Sequence, residues 1–191
     1  MTEAILQALR VLTAPGQVVE VRAITDDGIV SGYFDDPAQL AGSVDAMDTV
    51  PAIQGIYVTL NEVNPALLSR RANRVKQRLG KKDATTADPD ILRRRWFPID
   101  IDPTRPSGVS STDEEHQAAI DTAERIASHL GRLGWPAPIV ADSGNGAHLL
   151  YRIDLPNDDR SRDLVRKCLE VLATLFDDPT KTIDTASYDA A

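Results

Sequence analysis

Two aspartates one residue apart, Asp100 and Asp102, close the run RWFPIDID over residues 95–102. On an extended strand alternate side chains share a face and lie about 7 Å apart, so both carboxylates point one way while Phe97, Ile99 and Ile101 point to a core. Like charges held so closely repel, and a hard divalent cation relieves them, because magnesium takes oxygen ligands from one or two carboxylates and from substrate phosphates. The bland reading of the same residues is a strand running out into a polar loop at Pro103. A second segment, SGNGAH over residues 143–148, joins two glycines to a histidine. Gly144 and Gly146 let backbone amides approach an anion, and His148 enters the returning strand just beyond, an arrangement suited to a nucleotide triphosphate. Its bland reading is a tight hairpin, for which Asn-Gly is a strong local signal, with Ser143 either capping the turn or donating to phosphate. Asp184, after Ile183, says nothing by itself.

The elements that must position these groups are visible as patterns. Residues 3–12 have helical spacing, 17–24 and 28–34 read as two strands joined at Asp26-Asp27-Gly28, 37–47 as a short helix and 55–60 as a strand. From Ala66 to Asp90 the pattern gives way to charge and small residues, read as a basic loop. The strand over 95–102 carries Pro98, which has no N–H to donate and predicts an edge or bulge there. Ser111 and Thr112 each begin a capping box ahead of an apolar helical run from Ala118 to Leu133. Residues 138–153 read as two strands about the Gly-Asn-Gly turn. A helix follows over 158–176, with Leu164, Cys168, Leu172 and Leu175 as its apolar face, then a last strand at 182–185. The fold class is α+β with a mixed or antiparallel sheet.

In this order, Asp-x-Asp, then Gly-x-His, then an apolar residue and Asp, the segments RRRWFPIDIDPTRPSGVSSTDEEH, SGNGAHLLYRIDLP and TIDTASYDAA resemble the motif series of the archaeo-eukaryotic primase superfamily. The likeness is to the primase-polymerases of plasmids, phages and mobile elements. It spans Arg95 to Asp189, and YVTLNEVNP over residues 57–65 is similar to their N-terminal module more loosely. The resemblance implies an RRM-like catalytic core, sheet flanked by helices, over 95–191. It further implies an N-terminal α/β module over 1–65, joined by the basic stretch 66–94. It implies that Asp100, Asp102 and Asp184 hold two Mg2+ or Mn2+ ions and that His148, with Gly146, Ser143 and Asn145, meets the incoming dNTP or NTP. The activity implied is template-dependent nucleotidyl transfer, as DNA primase or polymerase, on a single-stranded DNA template and primer, with a helicase-like region or protein as partner. The alternative is a DNA- or nucleotide-binding replication module of the same fold without turnover. Relatives continue past the third acid into a basic stretch and a Gly-Thr turn, so a chain ending at Ala191 is expected to be truncated. Pro98 stands where relatives carry an aliphatic residue.

Charge bears on the partner. The net charge is −8, yet residues 70–95 hold ten lysines and arginines against three aspartates, +7, leaving −15 elsewhere. A basic stretch in an acidic chain points to a polyanion or to a solvated arginine-rich loop. Arg70, Arg71 and Arg74, at helical spacing, are candidates for template phosphates, and Arg95 for template or nucleotide, with internal ion pairing the competing role. Trp96 and Trp135 are read as core before base-stacking platforms, and His116 and His129 as facing water. A single cysteine, Cys168, and three histidines exclude an internal disulfide and a Cys/His zinc site. No apolar run is long enough to span a membrane and no signal-peptide pattern opens the chain, so a cytoplasmic location is expected. Asp-x-Asp with manganese also occurs in sugar-nucleotide glycosyltransferases, but their larger nucleotide-binding unit is missing and the histidine turn stays unexplained.

Overall fold

A computed structural model describes residues 2–104, 106 and 109–185. The chain divides into two compact units that meet in sequence between Arg93 and Arg94. Both combine helices with antiparallel sheet, so the class is α+β.

In the first unit α1 (Thr2–Leu12) leads to the hairpin of β1 (Val19–Thr25) and β2 (Gly28–Phe34), where Gly28 takes a φ of 135° that a side chain would resist. Asp36 accepts from the Ala38 and Gln39 amides and starts α2 (Pro37–Asp48), and β3 (Ile53–Val58) returns to pair with β1. After β4 (Glu62–Val63), a 3-10 turn at Pro65–Arg70 and β5 (Arg74–Lys76) complete a sheet of order β3-β1-β2-β5. Period-two alternation sends Val19, Val21 and Ala23 against Leu9, Leu40, Ala41 and Met47. The opposite face buries Glu20, Ser31 and Tyr33.

The stretch 66–93, expected as a basic loop, belongs to this unit and is partly ordered by buried charge. Glu20 accepts from Ser31 Oγ at 2.5 Å, Arg22 Nε at 2.8 Å and the Thr86 amide at 2.8 Å, while Arg71 donates to Ser31 Oγ and the Ala84 carbonyl. Burial pushes the Glu20 carboxyl up, but the hydrogen bonds from Arg22, Ser31 and Thr86 outweigh it and hold its pKa below the ordinary value.

The second unit is built on β6 (Ile91–Pro103), which starts in the first unit by pairing Ile91 and Arg93 with β4. Thr112 accepts from the Glu115 amide and Glu115 answers at the Thr112 amide, so of the two possible capping boxes Thr112 starts α3 (Asp113–Arg132). The hairpin of β7 (Ile139–Asp142) and β8 (Ala147–Pro156) follows, then α4 (Asp159–Phe176) and β9 (Lys181–Ile183). Strand β6 lies between β8 and β9. Phe97, Ile99, Ile101, Leu149 and Tyr151 pack with Ala119, Ala123 and Ile126 of α3 and Val165, Leu169 and Leu172 of α4.

The face of α4 differs from the one read from sequence. Val165, Leu169 and Leu172 are buried, whereas Leu164 and Leu175 are more than half exposed. Leu164 is one position off a face that Val165 and Leu169 define at i, i+4, and the adjacent apolar pair Leu164-Val165 hid that offset.

Pro98 sits in β6 where no described strand covers one side. The Asp100 carbonyl accepts from the Asp184 amide, so its backbone groups face β9, and those of Pro98 two residues earlier face the same way. Described β4 and β9 pairings stop at Arg93 and resume at Ile101, so the missing N–H falls in the interval between them.

Candidate active site

Ile101 pairs with Ile183 and Asp102 with Thr182, which sets Asp100 directly opposite Asp184, and the Asp184 amide donates to the Asp100 carbonyl at 2.9 Å. Opposed residues of an antiparallel pair share a face, as do Asp100 and Asp102 along one strand. Backbone register therefore brings the three acids to one face of the sheet, the one away from α3 and α4.

Strand β8 adds the histidine and the glycine. His148 Nε2 stands 3.0 Å from Asp100 Oδ1. A Cβ on Gly146 would lie 2.9 Å from Asp102 Oδ1 and would collide with the Ile101 carbonyl, so only glycine lets the turn come this close. As β8 advances from Gly146 to His148, its neighbour on β6 recedes from Asp102 to Asp100, which makes the two strands antiparallel.

Asp100 Oδ1 is shielded from solvent and has no aligned hydrogen-bond donor. The His148 contact satisfies distance but not direction, so we regard it as an ion pair rather than a hydrogen bond. The Asp100 carboxylate is the largest influence on His148 and raises its pKa above the ordinary imidazole value. Burial opposes this, and the charges of Asp100 and Asp102 reinforce it.

The turn between β7 and β8 is held from within. Gly144 N–H donates to Asp142 Oδ1 at 2.7 Å, and the Asn145 and Gly146 amides donate to Ser143 Oγ at 3.4 and 2.9 Å. These amides, read from sequence as a phosphate cradle, thus have partners inside the turn, and Ser143 is the turn's cap. Asn145 Oδ1 accepts from the Ser111 amide at 3.0 Å and ties the turn to the residues before α3. His116, expected to face water, instead meets Asp142 Oδ1 at 2.7 Å. The Gly144 amide and then His116 hold the Asp142 carboxyl below its ordinary pKa. Sequence reasoning passed over Asp142, Ser111 and His116 as supports, although the Asp-Ser-Gly order at 142–144 is itself a turn signal.

Among the described residues no group of three or more His, Cys, Asp or Glu side chains is gathered to hold a metal ion. The acids share a face by strand register, but their side chains are not gathered around one point. The donor set nonetheless fits a hard cation, since all three candidates offer oxygens, Asp100 Oδ1 lacks an aligned donor, and Gly146 keeps side-chain bulk away from Asp102.

The arginines divide differently. Arg95 pairs with Asp154. Arg70, Arg71 and Arg74 belong to the first unit. Arg70 donates to Tyr33 Oη and the Thr85 carbonyl at 3.2 Å, and Arg71, 5% exposed, is enclosed by Glu20, Ser31 and Ala84. Arg74 is exposed on β5. Trp135 packs on Phe97 and Tyr151, with ring centroids 5.7 and 5.2 Å away. Trp96 is 5% exposed, and His129 meets the Phe176 ring edge-on. Among the described residues no helix is long and apolar enough to cross a membrane. The chain matches no protein-family model, and neither the curated proteins nor the solved structures contain a match to it.

Proposed function

We propose that the chain is a template-dependent nucleotidyltransferase of the primase-polymerase kind, joining nucleotides on single-stranded DNA with release of pyrophosphate. The observation that carries this reading is the shared register of Asp100, Asp102, Asp184 and His148 on one face of the second unit. Asp100, Asp102 and Asp184 would hold magnesium or manganese. Such ions, when bound, supply a lowered pKa at a primer 3′-hydroxyl and charge that stabilises the leaving pyrophosphate.

The chain's own groups bind and orient. His148, whose pKa the Asp100 carboxylate raises, donates hydrogen bonds to triphosphate oxygens. Gly146 lets the turn pack against Ile101 and Asp102, and Ser143, Asn145 and Asp142 fix the turn so that His148 stays in line. In this reading the second unit is an RRM-like core, with α3 and α4 on one face of the sheet and the acids on the other. The substrates are a dNTP or NTP and a primed template, and a helicase-like protein is the partner.

A non-catalytic DNA- or nucleotide-binding module of the same fold is the second reading, favoured by the absence of a gathered metal set among the described side chains. Incorporation of labelled nucleotide, with and without primer and with Mg2+ or Mn2+, separates the two. Metal-dependent product that vanishes in Asp100→Ala supports the enzyme. Retarded DNA with no product under any condition supports the module.

A further inference from the structure

The β6–β8 face that carries the acids has a second pair of residues at its other end. The Arg152 guanidinium lies 4.8 Å from the centre of the Trp96 ring. This follows the same antiparallel ladder that sets Gly146 against Asp102 and His148 against Asp100. Arg152 is four residues beyond His148 and Trp96 four before Asp100, so strand parity keeps all four on the face opposite the helices. Four strand residues span roughly 14 Å, further than one nucleotide's phosphates reach from His148.

Arg152 is exposed while the indole beneath it is buried. Arg95 pairs with Asp154, Arg162 with Asp159, and Arg166 with Asp163 and Glu170, but among the described residues Arg152 pairs with no carboxylate. A guanidinium already flat on an aromatic ring loses little freedom on binding, and it keeps an outer plane and edge donors for a base or a phosphate. In a chain of net charge −8, such a fixed cation on the same face as the acids is a local attraction for a polyanion.

We propose that Arg152, laid on Trp96, contacts a single-stranded polynucleotide that runs along the β6–β8 face toward Asp100. This rests on the nucleotidyltransferase reading for the strand's destination and names its binding end. The test is fluorescence anisotropy of the full chain with a labelled oligothymidylate of about 20 nucleotides, a length that exceeds typical single-strand site sizes. Arg152→Ala is expected to weaken binding about five- to tenfold and to flatten the log–log salt dependence by about 0.7, the loss of one phosphate contact. Arg152→Lys, with the charge but not the plane, falls between. Arg125→Ala removes a similar stack, on Phe176 at 5.6 Å on the helix side, and leaves binding unchanged. In a Trp135→Phe background, the emission of Trp96 changes on addition of oligonucleotide.

Equal affinity in wild type and Arg152→Ala, or no binding by the wild type, overturns the proposal. Binding that depends on Arg152 without nucleotide incorporation keeps it and removes the polymerase reading. Incorporation with an unchanged KM for primed template in Arg152→Ala does the reverse.

Discussion

The Asp184 amide donates to the Asp100 carbonyl at 2.9 Å, so two acids from distant parts of the chain stand directly opposite one another across β6 and β9. Their side chains share a face with Asp102, and this one backbone contact brings Asp184 to the strand that carries the other two acids.

Metal binding at these acids should show as added stability. Asp100 has a buried oxygen without an aligned donor, but it also forms the ion pair that raises the His148 pKa, so the two effects oppose and Asp100→Asn is expected to shift the thermal midpoint of the metal-free chain by no more than about 2 °C. Added Mn2+ should raise the midpoint of wild type and not of the variant, as ligand linkage requires. A thermal melt with and without Mn2+ checks both.

Gly146 is constrained by its neighbours rather than by its dihedral angles. Gly146→Ala drives a methyl into the Ile101 carbonyl and the Asp102 carboxylate, and should cost about 2 kcal/mol or more in urea unfolding. At Gly144 the space is open but φ is 79°, so Gly144→Ala should cost about 1 kcal/mol, from backbone strain alone.

His148→Ala removes the group assigned to the triphosphate. Incorporation kinetics should show KM for the nucleotide rising about tenfold or more, because charge-assisted hydrogen bonds are the stronger class. The thermal midpoint should change little, since the ring is only half-buried and its contact with Asp100 is poorly aligned.

In the first unit, Glu20→Ala leaves buried Arg71 with only Asp83, at 4.0 Å, takes the carboxylate from Arg22 and strands the Ser31 and Thr86 donors, and should destabilise by about 3 kcal/mol in urea unfolding at neutral pH. The folded pKa of Glu20 lies below its ordinary value of 4.5, so its ionised form contributes in full above 4.5. That contribution fades as pH falls through the lower folded value. The gap in stability between wild type and Glu20→Gln should therefore be wide at pH 7 and narrow toward pH 3.

What could be read in advance follows from how local each signal is. The alternation of Phe97, Ile99 and Ile101 with Asp100 and Asp102, the Thr112–Glu115 box and the Gly-Asn-Gly hairpin are all written within a few residues, and each appears in the structure at its expected place. The pairing of Asp184 with Asp100 depends on β9 finding β6, which no local pattern specifies. Charge misled in the opposite direction. Arg70 and Arg71 stand in a basic run, but Glu20, on the buried polar face of β1, draws Arg71 inward. Period-two alternation would reveal that face only if a buried glutamate were anticipated. The turn amides were legible as a cluster of donors, while their capture by Asp142 and Ser143 depended on side-chain rotamers.

The most direct measurement of the central claim is Mn2+ binding followed by electron paramagnetic resonance in the presence of nucleotide, for wild type, Asp100→Asn and Asp184→Asn. Uptake of Mn2+ by the wild type and its loss in both variants is the predicted result. Uptake that survives either substitution, or none by the wild type, would contradict a shared metal site formed by opposed acids.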